Sequence, residues 1–521
     1  MYLYFFTALL AGFYPAIFFL SNNWHIFSWQ QSLVLLSGAC LIALAAILPL
    51  SWTMGYVLRV FFRRPLSGPE EKTNGNPFIV PLISLVSLLL CAIFLRGTLA
   101  AINARPILVY ALTGLVVLGF VWNAHKKGLK PTFFTLLILS SLAAFNLMGN
   151  IYAGARETAD GWLTKHKAVY DQVRLKSTPD VYLIIAEAYP SRAALKAVYD
   201  FDNDVFYRQL TGLGFKVNHD FFSNYNHTLS SLPSLFGMAH HFGSLNLGNL
   251  DSLGGRRMLE AKAYNPVIDM FRANHYKIQY LHEVNSLLPN GADVDVCLPA
   301  PSLWYGLNAF LLQKENPADG PGRSETIASL KDRLTAMDLG RGPYFTFIYV
   351  NLPGHSPSRV KERTREGINK AMEAFRSSYG SRVESANKHL LDLAQLITSR
   401  DPDSIVIIIG DHGSWGFRLR EDADGKPVST PLFILDRFGV LAAMYAPNEL
   451  SGRLENGELK SHVNLFRHVF AYLSGDRELL STMAPDHAFE NEMIMAIEDG
   501  NILDNFVKIV LVPKSGNGEA K

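Results

Sequence analysis

The chain has 521 residues, 49% of them hydrophobic and only 18% charged, against roughly 25% charged in a soluble globular protein. That apolar content excludes an intrinsically disordered chain, and three cysteines in this length exclude a disulfide-stapled scaffold. The formal net charge of +2 hides an asymmetry: residues 1–155 hold nine Lys/Arg against two acids, whereas the remaining 366 hold 39 basic and 44 acidic side chains. The acidic balance of the larger part argues against nucleic acid as a partner.

From the N-terminus, uncharged apolar stretches recur near 2–20, 32–56, 78–95, 106–122 and 132–153. Each can cross about 30 Å of hydrocarbon as a helix, the form that satisfies its own backbone in lipid. The first lacks the basic flank of a signal peptide and reads as a retained span. The links 59–77 and 123–131 carry seven Lys/Arg, and the links 21–31 and 96–105 carry only Arg96 and Arg105. The positive-inside rule therefore puts the N-terminus in the cytoplasm and, after five crossings, everything beyond about residue 155 outside. Such a segment is either a plain anchor or part of substrate handling; no span carries a mid-membrane acid, which argues against an ion pathway. Cys40 and Cys91 fall within spans and read as packing residues. Residues 156–178 mix Trp162, Leu163, Val169, Tyr170 and Val173 with bases, and read equally as an interfacial amphipathic helix or a solvated linker helix.

From 179 the pattern predicts an α/β domain with a mostly parallel sheet covered by helices. Val181–Ala186, Lys277–Leu281, Tyr344–Val350, Ser404–Ile409 and Pro431–Leu435 read as buried strands, apolar without alternation. Asn265–Ala273, Ser381–Ser399 and Ser461–Leu473 read as helices, with Ser461 as an N-cap. Residues 284–343 and 414–460 read as loop-rich, with the makings of lids. At strand ends stand Glu187, Asn351 with His355 four residues on, and Asp411-His412-Gly413. In an open parallel sheet reactive groups collect at the carboxyl ends of strands, and Glu, Asp and His suit one divalent ion, Zn²⁺ or Mn²⁺. Ser223–Phe236 (SNYNHTLSSLPSLF) reads either as a surface loop entering a helix, with Thr228 or Ser230 as a cap, or as the source of a metal-activated hydroxyl.

A carboxylate ending the first strand, a hydroxyl some forty residues later and a strand-terminal DHG resemble the alkaline phosphatase/sulfatase superfamily. More narrowly they resemble its membrane-bound branch, the lipoteichoic acid synthases and the phosphoglycerol and phosphoethanolamine transferases, which also place five helices before an extracytoplasmic catalytic domain. The resemblance implies a five-helix membrane domain over 1–155, a juxtamembrane linker over 156–178 and a sulfatase-like catalytic domain over 179–521. It implies that Thr228, opening the T-x-x-S-x-P block Thr228–Pro233, is the nucleophile, with Glu187, Thr228, Asp411 and His412 as metal ligands. His355 in PGHSP matches the catalytic histidine of that branch, and Asn351 and Arg418 are expected to contact substrate. A phospholipid in the membrane would donate phosphoethanolamine or phosphoglycerol to a surface glycan through a phospho-threonine intermediate, at the outer face of a bacterial cytoplasmic membrane. Two rivals stand beside it: a sulfatase-like hydrolase or phosphodiesterase, and a non-catalytic envelope-assembly scaffold. Leu235 stands where sulfatases have an arginine, which points away from sulfate esters. Only Cys297 lies outside the spans, which points away from the disulfide-bearing lipid A enzymes.

Overall fold

In the computed structural model the described residues are 2–23, 27, 29–62, 130–157, 166–241, 258–261, 264–282, 292–298, 307, 323–336, 342–354, 365–416, 430–490, 493–497 and 506–511. Helices α1 (Tyr2–Asn23), α2 (Trp29–Phe62) and α3 (Lys130–Glu157) coincide with the first, second and fifth predicted spans. The spans expected at 78–95 and 106–122 lie outside the described residues. Among the described residues two windows are long and apolar enough to cross a membrane, Trp29–Ala46 and Thr132–Tyr152, and α1 adds the shorter apolar stretch Phe5–Ser21. Small residues let these helices approach. A Cβ on Gly12 would stand 2.5 Å from the Ala39 carbonyl oxygen and 2.8 Å from Ala43 Cβ, so only glycine fits where α1 meets α2. Asn150 Nδ2 donates to the Ser21 carbonyl at 2.7 Å, tying α3 to α1. Phe5, Leu41, Ile138, Leu142, Phe145 and Met148 remain exposed, an apolar exterior that suits lipid rather than water.

These helices belong to one compact unit, Met1–Arg156 with Pro301–Pro317; the other comprises Glu157–Ala300 and Ala318–Lys521. The second unit runs α4 (Lys167–Tyr170), β1 (Val181–Ala186), α5 (Arg192–Tyr199), α6 (Asp204–Gly212), β2 (Lys216–Val217), α7 (Thr228–Gly237), α8 (Pro266–Ala273), β3 (Lys277–His282) and β4 (Val296–Leu298). It continues through α9 (Arg323–Ala336), β5 (Tyr344–Val350), α10 (Arg365–Arg400), β6 (Ile405–Gly410), α11 (Thr430–Phe438), β7 (Ala442–Tyr445), α12 (Asn448–Glu455) and α13 (Leu465–Ser474) to a small antiparallel sheet of β8 (His487–Glu490), β9 (Met493–Ile497) and β10 (Phe506–Leu511).

The main sheet has the order β2-β7-β6-β1-β5-β3-β4. Strands β6, β1, β5, β3 and β4 are parallel, and β7 and β2 add an antiparallel edge, so the sheet is mixed. Its strands lack alternation because both faces are covered. Val181, Leu183 and Ile185 pack among residues of α7, α8 and α13 on one face, while Tyr182, Ile184 and Ala186 pack among residues of α5, α6 and α10 on the other. Register sets the site: Ala186 stands opposite Val350 in β5 and Gly410 in β6, so Glu187, Asn351 and Asp411 leave the same sheet edge side by side.

Four expectations need correction. Pro431–Leu435 is part of helix α11, not a strand; five apolar residues fit a buried helix as well as a buried strand. The strand in that region is β7, whose AAMY sequence carries little β-propensity. Within 414–460 the described residues hold α11, β7 and α12, with 417–429 outside the described residues; within 284–343 the described residues include β4 and α9. Ser461 precedes a 3-10 turn, His462–Asn464, without capping it: its hydroxyl oxygen accepts instead from Asn224 Nδ2 at 3.1 Å while the hydroxyl donates to Asp486 at 2.6 Å. Of 156–178, residues 156–157 end α3 and Lys167–Tyr170 form the single turn α4, while 158–165 lie outside the described residues.

Candidate active site

Three elements deliver the polar cluster. Strand β1 ends on Ala186 and releases Glu187, and the chain turns at once through Ala188, whose φ of 53° is left-handed. Strand β6 ends on Gly410 and releases Asp411 and His412. Helix α7 begins at Thr228. Thr228 Oγ1 lies 3.3 Å from Glu187 Oε2 and 3.3 Å from His412 Nε2. His412 Nε2 is 3.5 Å from Glu187 Oε1 and 3.6 Å from Asp411 Oδ2. Ligating atoms of Glu187, Asp411 and His412 all fall within 4.8 Å of one another, and all three residues are buried.

The cluster is held from behind. Asp411 Oδ1 accepts from the backbone N–H groups of Ala188 at 2.7 Å and His412 at 2.9 Å. His412 Nδ1 stands 2.7 Å from the Gly413 carbonyl. A carbonyl only accepts, so Nδ1 carries a proton, and in the neutral ring Nε2 faces the carboxylates with its lone pair, as a metal-ligating histidine requires. Asp411 Oδ2 is buried with no hydrogen-bond partner among the described residues.

Charge points the same way. Burial, then the neighbouring Glu187 carboxylate, pushes the Asp411 carboxyl well up. For His412 burial opposes the imidazolium, but the Asp411 and Glu187 carboxylates outweigh it and raise the pKa. Two buried carboxylates beside an imidazole form a donor set fit for a divalent metal; two oxygens and one nitrogen suit Zn²⁺ or Mn²⁺. The N-terminal end of α7 adds a partial positive charge beside Thr228, which favours an anion there.

Of the residues expected from sequence, Glu187, Thr228, Asp411 and His412 are brought together. Asn351 ends β5 on the same edge and is partly exposed. His355 and Arg418 lie outside the described residues. Ser231 is fully buried and turned to the Asp411 carbonyl and to His462, not into the cluster, and the Ser230 carbonyl accepts from His241 Nε2.

Sequence reading missed Trp415 and His227. Trp415 has φ of 60°, a conformation bulky side chains rarely adopt. Its Nε1 donates to the Asn226 carbonyl at 2.9 Å, its ring lies 4.6 Å from that of His227, and the Arg437 guanidinium sits 3.8 Å over it. Asp436 Oδ1 accepts from the Ser414 hydroxyl and the Gly416 N–H, fixing the residues on either side. The signal available in sequence was a tryptophan three residues beyond a DHG histidine, with no periodicity to explain it.

A hydroxyl at a helix start facing a buried Glu–Asp–His set, on the carboxyl edge of a parallel sheet, defines a site that can hold a divalent cation against a nucleophile. No family model and no curated protein matches the chain. Among solved structures it is similar to the C-terminal periplasmic domain of the phosphoethanolamine transferase EptC from Campylobacter jejuni, at 12% identity, covering 57% of this chain and 90% of that one with a TM-score of 0.36. It is similar to the integral membrane lipooligosaccharide phosphoethanolamine transferase A from Neisseria meningitidis, at 13% identity, 91% and 95% coverage and a TM-score of 0.31. It is also similar to the phosphonate monoester hydrolase of Agrobacterium radiobacter, at 12% identity, 62% and 82% coverage and a TM-score of 0.36.

Proposed function

We propose that the chain is a membrane-bound transferase of the alkaline phosphatase/sulfatase superfamily, which moves a phospholipid headgroup to a surface glycan. The observation that carries this reading is the placement of Thr228 Oγ1, 3.3 Å from both Glu187 and His412, beside a buried Asp411 oxygen that has no hydrogen bond among the described residues. Residues 1–155 anchor the chain by five helices, 156–178 link, and 179–521 catalyse on the outer side of the cytoplasmic membrane. A divalent cation, Zn²⁺ or Mn²⁺, when bound by Glu187, Thr228, Asp411 and His412, lowers the pKa of the hydroxyl and neutralises charge on the phosphoryl oxygens.

Thr228 Oγ gives up its proton and attacks the phosphorus of the donor phosphodiester. The bond to the glycerol oxygen breaks, diacylglycerol leaves after taking a proton, and phosphoethanolamine or phosphoglycerol remains on Thr228. A glycan hydroxyl then attacks the phospho-threonine and restores the hydroxyl. His355 carries protons to the leaving oxygen and from the entering one, and Asn351 and Arg418 contact the phosphoryl group. Intact-protein mass spectrometry after incubation with phosphatidylethanolamine or phosphatidylglycerol tests this. The mass of the adduct names the headgroup, and Thr228→Ala should show none. Steady donor consumption with no acceptor and no adduct would instead favour a hydrolase.

A further inference from the structure

Ser231 stands one turn after Thr228 on α7 and is fully buried. Its hydroxyl oxygen is 2.5 Å from the Asp411 carbonyl oxygen and 2.9 Å from His462 Nδ1. Because a carbonyl only accepts, the hydroxyl proton is committed to Asp411, and His462 Nδ1 must carry the proton that it donates to Ser231 Oγ. His462 is fully buried against the Phe221 ring, 5.4 Å away between centroids, and its Nε2 has no partner among the described residues. The Gly410 backbone also interacts with the ring, so the imidazole ties Ser231 to the end of β6. The series Nδ1–H to Oγ–H to carbonyl is directional along its whole length. It pins the backbone of a cluster residue to the first turn of the helix that carries the hydroxyl.

We infer that Ser231 and His462 are positioning residues: a strut that sets how far Thr228 Oγ1 stands from Asp411 and His412, and that touches neither substrate nor reacting atoms. The inference rests on Thr228 being the nucleophile. Residues i and i+3 share a helix face, so a shift of Ser231 toward or away from Asp411 carries Thr228 with it, and a misplacement near 1 Å is enough to slow a positioned reaction on the order of a hundredfold.

The test uses the full chain in detergent, stripped of metal and reloaded with Zn²⁺, with fluorescent phosphatidylethanolamine as donor. Ser231→Ala should lower kcat and the single-turnover rate of Thr228 adduct formation on the order of ten- to a hundredfold, with the donor KM within about twofold. Zinc affinity by calorimetry should fall on the order of tenfold. His462→Phe, which keeps the volume and loses the Nδ1–H, should behave like Ser231→Ala. His462→Asn, whose amide nitrogen can stand near the Nδ1 position, should recover most of the rate. The double variant S231A/H462F should be no worse than S231A alone, because one interaction is lost in either case. A purely structural role would lower the unfolding temperature and give additive rate losses.

Wild-type zinc affinity and kcat in Ser231→Ala, or additive losses in the double variant, would overturn the strut, as would an adduct on Ser231 itself. If Ser231→Ala fails to fold, the pair His462→Phe and His462→Asn decides, since both leave the serine in place. If the wild type forms no adduct from the phospholipid, the transferase reading fails, and the zinc affinities of the same variants still decide the strut.

Discussion

Asp411 Oδ1 accepts two backbone N–H groups while the buried Oδ2 has no hydrogen bond among the described residues and lies 3.6 Å from His412 Nε2, so one oxygen serves the fold and the other faces the cluster. That split separates two substitutions. Asp411→Asn keeps an oxygen for the Ala188 and His412 N–H groups and should lose the metal with little change in unfolding temperature. Asp411→Ala also leaves two buried donors unpaired, at about 1–3 kcal/mol each, and should melt earlier. Metal content by atomic absorption and thermal unfolding read the two effects apart; full occupancy in Asp411→Asn would refute the ligand assignment. For Thr228 the hydroxyl is the quantity at stake. Thr228→Ala should lower donor turnover by about a thousandfold or more, whereas Thr228→Ser, which loses one methyl group, should stay within about tenfold. A Thr228→Ala enzyme that still turns over would hand the nucleophile to another group.

At the element scale the site depends on how α7 and the segment after β6 are held together. Trp415 braces the start of α7 through Asn226 and His227 from a left-handed backbone, which costs about 1–2 kcal/mol in a residue that is not glycine. Trp415→Phe keeps the ring contacts and loses the Nε1–H to Asn226; a stability loss of about 1 kcal/mol is expected, with a larger proportional loss in kcat because α7 is freed at its catalytic end. Equal kcat in the two proteins would show that the brace is only structural.

The opposite edge of the sheet gives a pH-dependent prediction. Asp180 precedes β1 and Asp401 precedes β6, and the Tyr182 hydroxyl lies 3.5 Å from the first and 3.4 Å from the second. Burial, then the Asp180 charge, pushes Asp401 up to about 6. A carboxyl that binds its proton more tightly when folded adds stability at low pH and loses it as pH rises from about 4 to about 6. Asp401→Asn cannot ionise and should match the wild type near pH 4, then exceed it by about 1 kcal/mol at pH 7, with solvent screening taken into account. Unfolding midpoints across that range check it, and a constant difference between the two proteins would remove the carboxyl pair as the cause.

Strands β1, β5 and β6 were legible because an apolar run of six or seven residues, broken only by Thr346, has few other readings, and β3, with Lys277 and Gln279 in it, was legible from Ile278, Tyr280 and Leu281 directly after a helical pattern. Pro431–Leu435 was not, because its length and composition fit either element and the deciding fact is burial inside α11. Glu187, Thr228, Asp411 and His412 could be picked from strand ends and a hydroxyl block. Trp415 and the Ser231–His462 contact could not, since they depend on which loop a distant helix meets.

At the scale of the whole molecule the charges in the loops decide which side of the membrane holds the chemistry. Under the proposed topology the seven Lys/Arg in 59–77 and 123–131, against Arg96 and Arg105 in the alternate links, would hold those two segments in the cytoplasm. The described helices fit a lipid surroundings, since α1 and α2 meet through Gly12 while Phe5, Leu41 and Phe145 stay exposed. On the proposed five crossings, 156–521 would lie on the outer side, where the proposed phospholipid donor and glycan acceptor would both be within reach. Protease added to intact spheroplasts should remove that part and leave a fragment of roughly 155 residues in the membrane, with a cytoplasmic marker protein untouched. A chain protected until the membrane is broken would reverse the orientation. Replacing Arg59, Arg63, Arg64 and Lys72 with glutamine tests the cause rather than the outcome. With those bases removed the bias between alternate links falls from seven against two to three against two, and a protease-protected fraction should appear. Full accessibility in that variant would mean the orientation is set by something other than these four bases.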